Sequence, residues 1–196
     1  MVSDTAPKPR GTRKARTREK LLAAGDRMFR EQGFHGTTLD QVAAAAGYTK
    51  GAVYSSFASK EDLFLAIYER RVAESLERVR RALEEHGEDG PAELTRRNLA
   101  TPDRGWMAVF FEFWAHVLRN SELRARFLAL HRRAQEPLVA HARARLSASG
   151  TIDAEGWTLA NVAMVNGLQL EQLTDPGLDV ADMGVAMFEA AVRGMQ

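Results

Sequence analysis

A chain of 196 residues without cysteine forms no disulfide, no thiolate metal site and no cysteine nucleophile. Its hydrophobic and charged fractions, 45% and 27%, are ordinary for a globular protein, and no apolar run approaches the roughly 18 residues of a membrane span. The net charge of +1 conceals an asymmetry, because residues 1–60 hold 11 Lys/Arg against 5 Asp/Glu and the remainder hold 16 against 21. This charge segregation is typical of a nucleic-acid-binding module joined to a module with another role.

The chain opens with a basic, proline-bearing segment. Residues 1–12 show no apolar periodicity and predict a disordered arm, which could either stay in solvent or reach DNA. Because the segment lacks the apolar stretch of a secretory signal, we expect a cytoplasmic protein without a membrane partner. The first helix is predicted over residues 13–32. Gly33 should end it, and Phe34 should fill a three-helix core.

Residues 38–60 are the most informative stretch. Apolar residues recur at helical spacing from Leu39 to Ala46, and Gly47 can close that helix in the left-handed conformation. Thr49 is predicted to accept a backbone N–H as the N-cap of the next helix, which turns Val53 inward. Two short helices joined by a glycine turn are a helix-turn-helix, whose second helix enters the DNA major groove.

The same stretch carries a family resemblance. From about Thr17 to Phe64 the sequence resembles the TetR family of bacterial transcriptional regulators, although Ser55 and Ser56 replace large aromatic or histidine residues of many members. The resemblance implies an all-α fold with a helix-turn-helix domain, a long connecting helix and a helical ligand-binding and dimerisation domain. The matching positions are Phe34 to Thr38, Val42, Ala43, Ala46, Gly47, Gly51, Tyr54, Phe57 and Lys60 to Phe64.

The outward side of the second short helix supplies the predicted DNA contacts. Lys50 can donate to guanine acceptors or to a phosphate, Ala52 can contact a thymine methyl, and Gly51 lets the backbone approach the groove. The resemblance implies that Tyr54 and Lys60 bind phosphates. A two-fold dimer should read a palindromic double-stranded operator. The predicted DNA-binding residues are Thr38, Thr49, Lys50, Gly51, Ala52, Tyr54, Ser55 and Lys60.

A long fourth helix should connect the two modules. Ser59 predicts its N-cap, and its apolar stripe continues to about Glu85, for a length of roughly 35–40 Å. A linker is predicted from Gly87 to Pro91. The predicted organisation is a disordered basic arm at 1–12, a helix-turn-helix domain at 13–58 and a helical ligand-binding and dimerisation domain at 59–196.

Further helices are predicted over 92–100, 103–120, 121–148, 154–174 and 180–193, with Ser121 as a cap and Pro137 as a kink or division. The helix over 103–120 is the most aromatic. Its rings could be plain core or the lining of a cavity, and the resemblance favours a cavity for a small hydrophobic effector. The predicted lining is Trp106, Phe110, Phe113, Trp114, His116, Phe127, Asn166 and Gln169.

The last two predicted helices carry apolar stripes that are too broad for one core face. The resemblance implies that they form a four-helix interface with the same helices of a second copy. We therefore expect a homodimer. The predicted interface residues are Trp157, Val165, Leu168, Met187 and Phe188.

The sequence offers no convincing active site. Glu112 and His116 lie four residues apart, whereas carboxylate helix bundles use Glu-x-x-His pairs on two helices, so we expect neither a metal nor a cofactor. The sequence predicts a DNA-binding regulator and not an enzyme, most simply a repressor that a small hydrophobic ligand releases. Activation is not excluded. The alternative is an all-α enzyme or small-molecule carrier with a fortuitous helix-turn-helix-like segment.

Overall fold

The computed structural model describes residues 10–145 and 153–193. Within these ranges the chain forms nine α-helices, one 3₁₀ turn and no strand, which confirms the predicted all-α class. The predicted arm lies outside the described residues except for Arg10 to Thr12, which open the first helix. The helices are α1 (Arg10–Gly36), α2 (Leu39–Ala45), α3 (Lys50–Tyr54), α4 (Lys60–His86), α5 (Gly90–Ala100), α6 (Arg104–Val117), α7 (Ser121–Arg145), α8 (Ala154–Thr174) and α9 (Ala181–Arg193).

The helices group into two compact units, which meet between Tyr68 and Glu69. The first unit contains α1 to α3 and the start of α4, and the second contains the rest of α4 and all later helices. The division therefore falls inside one continuous helix. The domain boundary predicted after residue 58 stays a prediction.

The core of the first unit is built around three phenylalanine rings. Phe29 lies 5.7 Å from Phe34 and 5.4 Å from Phe64, measured between ring centroids. Gly25 lets α4 approach α1 closely, because a Cβ at this position would lie 2.9 Å from a methyl of Leu63. These contacts fix the base on which the two short helices rest.

Two glycines turn the chain where the sequence predicts turns. Gly33 has φ 76° and ψ 172°, and this non-helical residue separates the body of α1 from its last turn. Gly47 has φ 73°, the left-handed region that favours glycine, and closes α2 as expected. Thr37 is fully buried beside the first turn, where its hydroxyl donates to the carbonyl of Gly33 at 2.8 Å.

Several connections differ from the prediction. The side chain of Asn120, and not that of Ser121, caps α7, since its Oδ1 accepts the Leu123 amide at 3.0 Å. The expected linker is a 3₁₀ turn at Gly87–Asp89 that runs directly into α5. Helix α7 continues across Pro137, so proline does not divide it, although it removes one backbone donor from the helix.

The second unit packs α5 against α9 and α7 against α8. Leu99 is fully buried in a cluster with Val180 and Ala181. Gly184 of α9 touches this cluster so closely that a Cβ there would lie 2.2 Å from a methyl of Leu99. None of the helices in the described ranges combines the length and apolar character that crossing a membrane requires.

Candidate nucleic-acid interface and effector region

Helix α3 is held by its inward residue and presents the opposite side to solvent. Val53 of α3 is fully buried, as is Val42 of α2, and Phe57 is buried just beyond the end of α3. Lys50 and Tyr54 lie on the outer side, and the side chain of Tyr54 is 54% exposed. The predicted residues Gly51 and Ser55 are also exposed, while Ala52 is half-buried. The structure thus gathers the predicted contacts of α3 on one outward surface.

An ion pair joins the two helices of the motif. Lys50 Nζ donates to Asp40 Oδ2, and this carboxylate raises the pKa of Lys50. The other oxygen, Asp40 Oδ1, is buried and accepts no hydrogen bond from the described residues. Sequence reasoning missed this pair, since Asp40 lies ten residues before Lys50 and on another helix.

The two predicted threonines behave differently. Thr38 caps α2 through a capping box: its hydroxyl accepts the Gln41 amide at 3.3 Å, and its own backbone N–H donates to Gln41 Oε1 at 2.8 Å. The Thr38 hydroxyl also donates to Gln41 Oε1 at 2.8 Å. Thr49 occupies the N-cap position of α3, but its side chain accepts no backbone N–H there, so the predicted cap bond is wrong. The Thr49 hydroxyl is left at the exposed surface.

Lys60 fastens the start of α4 to the end of α1. Its Nζ donates to the backbone carbonyl of Phe34 at 2.8 Å and lies 4.4 Å from the centroid of the Phe34 ring. One of the three Lys60 donors is used in this bond, which leaves two for another acceptor.

Two basic residues of α1 add to the surface, and the sequence-based prediction did not include them. The guanidinium of Arg18 lies 5.1 Å from the ring centroid of Phe57, and Lys20 Nζ lies 5.9 Å from that of Tyr48. Both basic side chains are exposed. They extend the positive charge from α3 onto α1 in the same compact unit.

In the second unit, α6 and α7 bring most of the predicted lining residues together. Phe110 and Trp114 lie 5.2 Å apart, Trp114 and Phe127 5.6 Å, and Phe113 lies 6.2 Å from His116. These rings, with Trp106, pack against one another. The other two predicted lining residues, Asn166 and Gln169, lie on α8. Gln169 Nε2 donates to the Asn98 carbonyl of α5 at 3.3 Å.

Arg71 connects the later part of α4 to this aromatic cluster. The Arg71 guanidinium lies 4.0 Å from the ring centroid of Trp106 and 3.3 Å from Asp103 Oδ2. Asp103 in turn caps α6 by accepting the Trp106 amide at 3.1 Å. A shift of the α6 N-terminus therefore strains contacts that hold α4.

A groove of about 800 Å³ lies between α7 and α8, next to the aromatic cluster. His131 belongs to both, because it lines the groove and its ring stacks on Phe127 at 5.5 Å. Burial lowers the pKa of His131, which favours the neutral imidazole. The walls are Leu128, His131, Arg132, Gln135, Glu136, Val139, Ala140, Arg143, Glu155, Gly156 and Leu159, and Arg143 pairs with Glu155.

The predicted dimer residues divide between the interior and the surface. Trp157 and Phe188 contact each other at 5.2 Å inside the unit's own core and offer little surface on the single chain, so their assignment to the interface stays a prediction. Val165 and Leu168 are half-buried against the Leu99 cluster. Met187 is 47% exposed. The other large apolar residues exposed on these helices are Leu159, Leu170 and Met183.

The described ranges hold no group of three or more His, Asp or Glu side chains that could bind a metal ion. Glu112 and His116, the pair considered from the sequence, both lie on α6. His116 makes its ring contact with Phe113.

Comparison with known protein families matches both parts of the chain. Residues 21–67 match the profile described as bacterial regulatory proteins, tetR family. Residues 92–195, more than half of the chain, match the profile of the BetI-type transcriptional repressor, C-terminal. The two profiles thus cover the helix-turn-helix and nearly all of the later helices.

Individual relatives point the same way. The chain is 30% identical over 118 residues to the HTH-type transcriptional repressor AcnR of Corynebacterium efficiens, a match that covers 60% of this chain and 59% of that protein. It is 38% identical over 66 residues to the HTH-type transcriptional activator FasR of Mycolicibacterium smegmatis, covering 34% and 30%. The chain thus spans less than two thirds of these curated relatives.

Solved structures share the fold. Salmonella enterica GusR superposes with a TM-score of 0.74 at 24% identity, covering 97% of this chain and 100% of that one. A TetR-family regulator from Rhodococcus sp. gives a TM-score of 0.76 at 16% identity, covering 91% and 99%.

Proposed function

The chain belongs to the TetR family of bacterial regulatory proteins, and we propose that it is a cytoplasmic repressor that binds a palindromic operator as a homodimer. In this proposal a small, largely apolar effector binds the second unit and lowers the affinity for DNA. The observation that carries the proposal is the surface of α3, on which Lys50 and Tyr54 are exposed while Val53 of the same helix is buried.

DNA recognition is proposed to combine base and phosphate contacts. Lys50, Gly51 and Ser55 are exposed and Ala52 is half-buried, and we propose that these four residues meet base edges while Tyr54 and Lys60 supply phosphate contacts. Arg18 and Lys20 add positive charge beside them. A phosphate contact by Thr38 would have to displace its hydroxyl from Gln41, so its main role is to hold the start of α2.

Dimerisation is proposed to use the exposed apolar residues of α8 and α9. Leu159 and Leu170 share one face of α8 because they are eleven residues apart, close to three helical turns. Met183 and Met187 share a face of α9. A single chain gains nothing from exposing these side chains, whereas a second copy with the same faces would bury them.

The effector is proposed to enter the groove between α7 and α8. A groove of about 800 Å³ lies in the size range of small-molecule sites, and Leu128, Val139 and Leu159 give it apolar walls. His131 connects the groove to the rings of Phe127 and Trp114. Repacking of these rings would reach Arg71 on α4 through Trp106.

The effect on DNA follows from the continuity of α4. This helix begins in the first unit at Lys60 and ends in the second at His86, and we propose that it carries a displacement from one unit to the other. The effector lowers DNA affinity if it favours a dimer whose recognition helices have the wrong spacing, and DNA then weakens the effector reciprocally. A coupling of about 1–3 kcal/mol changes operator affinity roughly 5- to 150-fold.

The test of the DNA-binding proposal uses the purified full chain and a random-sequence duplex library. Sequencing of the bound fragments should recover an inverted repeat whose half-sites lie about one DNA turn or a multiple apart. Affinity for this repeat should fall steeply with added salt. Recovery of no preferred sequence would contradict a sequence-specific regulator.

The test of the effector proposal follows release of the recovered duplex by fluorescence anisotropy. An apolar compound library is titrated against the protein–DNA complex, and the part of the tryptophan fluorescence change that is lost in Trp114→Phe reports binding near His131. At least one compound should both bind and release the duplex. Compounds that bind the second unit without changing DNA affinity would show that the two units are not coupled.

A further inference from the structure

Asp40 forms an ion pair with Lys50, which is a predicted DNA-binding residue, but Asp40 itself was not predicted to take part in DNA binding. An acidic side chain on the recognition surface weakens binding to every DNA sequence, because it repels the phosphates. Asp40 lies on α2 but reaches this surface through its Oδ2, which accepts from the Lys50 ammonium. Its position therefore lowers the general affinity for DNA.

The environment of Asp40 makes Lys50 its main charge partner. The Oδ1 atom is buried and accepts no hydrogen bond from the described part of the chain, so the carboxylate cannot spread its charge over several donors. The ion pair with Lys50 is therefore the side-chain contact that the structure shows for this carboxylate. Lys50 itself stays accessible, with 73% of its side chain exposed against 38% for Asp40.

The ion pair with Asp40 places the Lys50 ammonium beside α2. A surface lysine on a flexible stem normally samples many positions and serves any nearby phosphate equally. Here one of its three N–H donors points at Asp40, which leaves two donors directed from a fixed point at the start of α3. Fixed donors can distinguish guanine, with its two major-groove acceptors, from the other bases.

We propose that Asp40 is a specificity-determining residue, which acts by holding the Lys50 ammonium between α2 and α3 so that it reads a base edge and not a phosphate. This inference rests on the proposed function as a sequence-specific DNA-binding protein. Asp40 touches no base itself and is a positioning residue. In this proposal Asp40 lowers the affinity for DNA of any sequence and raises the discrimination between sequences.

The test measures the affinity of each variant for two duplexes at one salt concentration. One duplex is selected by the wild-type chain from a random library, and the other is an unrelated sequence of equal length. Asp40→Asn should bind the unrelated duplex roughly threefold more tightly, because a repelling charge is lost. The ratio of the two affinities should fall roughly tenfold, within the discrimination that one base contact provides.

Asp40→Glu separates position from charge. It keeps the negative charge but moves the carboxylate by one methylene, so binding to the unrelated duplex should stay within about twofold of wild type while the specificity ratio falls. It also allows the specificity ratio to be measured if Asp40→Asn folds poorly. Glu31→Gln is the matched control, since it removes an exposed acid of the same unit and should leave the ratio unchanged.

Combining variants tests whether Asp40 acts through Lys50. Lys50→Ala should lower the specificity ratio about as much as Asp40→Asn, and Asp40→Asn in the Lys50→Ala background should lower it no further. Thermal unfolding of each variant is measured alongside, because Asp40 also lies in the first turn of α2, where an acid stabilises the helix.

Two results would overturn the inference. If Asp40→Asn and Glu31→Gln raise both affinities by the same factor, Asp40 is only a repelling charge. If Asp40→Asn weakens both duplexes equally and lowers the melting temperature, Asp40 only stabilises α2. A wild-type chain that discriminates between no duplexes would instead contradict the proposed function.

Discussion

Lys60 Nζ donates a 2.8 Å hydrogen bond to the backbone carbonyl of Phe34, a residue 26 positions earlier in the chain. The bond connects the first turn of α4 to the end of α1 and leaves two ammonium donors for DNA. Lys60→Ala should therefore lower the free energy of unfolding by about 1–2 kcal/mol, since a hydrogen bond from a charged donor and a contact with an aromatic ring are lost. Urea denaturation measures this change.

The same variant should affect DNA binding uniformly. Loss of one phosphate contact weakens binding to all sequences alike and lowers the salt slope by about one. Lys60→Arg should retain part of the stability and part of the DNA affinity. Lys14→Ala is the stability control, because it removes an exposed lysine of the same unit. An unchanged salt slope with reduced stability would limit Lys60 to a structural role.

Tyr54 is the second predicted phosphate contact. Tyr54→Phe removes only the hydroxyl of a side chain that is 54% exposed, so the fold should keep its melting temperature. DNA affinity should fall by about 1 kcal/mol, roughly fivefold, for every sequence, because one hydrogen bond to a phosphate is lost. Anisotropy titrations measure the affinity, and Tyr48→Phe is the matched control. Equal affinities of wild type and Tyr54→Phe would remove the residue from the interface.

Met187 is the predicted interface residue that remains clearly exposed on the single chain. Met187→Glu would place a charge in a buried apolar interface, so the dimer should dissociate at micromolar concentration, with affinity at least about 30-fold lower. Sedimentation velocity measures the change. Leu118→Glu introduces the same charge at an exposed leucine outside α8 and α9 and should leave a dimer intact. A wild-type monomer that binds DNA tightly would disprove the interface.

His131 should contribute to the pH dependence of stability. Burial lowers its pKa from the usual 6.5, so below that pH the unfolded chain binds a proton more readily than the folded chain. This residue's contribution to stability is therefore intact above pH 6.5 and is lost as the pH falls through and below it. His131→Phe keeps the stacked ring and should lose less stability between pH 7.5 and 5.5.

Melting temperatures across this range measure the effect. His86→Phe is the control, because it removes an exposed imidazole from the same unit and leaves His131 in place. An unchanged slope in His131→Phe would show that other titratable groups cause the pH dependence.

Local features of the sequence were enough to predict the helix-turn-helix. The turn at Gly47 needs a left-handed residue, and the burial of Val53 follows from helical periodicity, so neighbouring residues determine both. The comparisons confirm the family and do not favour the enzyme or carrier alternative. The pairs Asp40–Lys50 and Phe34–Lys60 could not be predicted, because each depends on a distance between two helices.

The dimer residues show a different limit. A broad apolar stripe does not reveal which part faces the chain's own core and which part could face a partner. Trp157 and Phe188 have the size and hydrophobicity of interface residues, but they meet each other inside the unit. Met187, one position before Phe188, points outward because adjacent helical residues differ by about 100° in direction.

The close approach of Gly184 to Leu99 determines how freely α9 can change its sequence. A single methyl group at position 184 would lie 2.2 Å from a Leu99 methyl and 3.2 Å from one of Leu168, so even alanine requires either the buried Leu99 side chain or α9 to shift. Positions 183 and 187 point outward and accept other apolar side chains. Mutational change at these positions can therefore alter the surface that we propose binds a second copy, while glycine at position 184 keeps α9 close to α5.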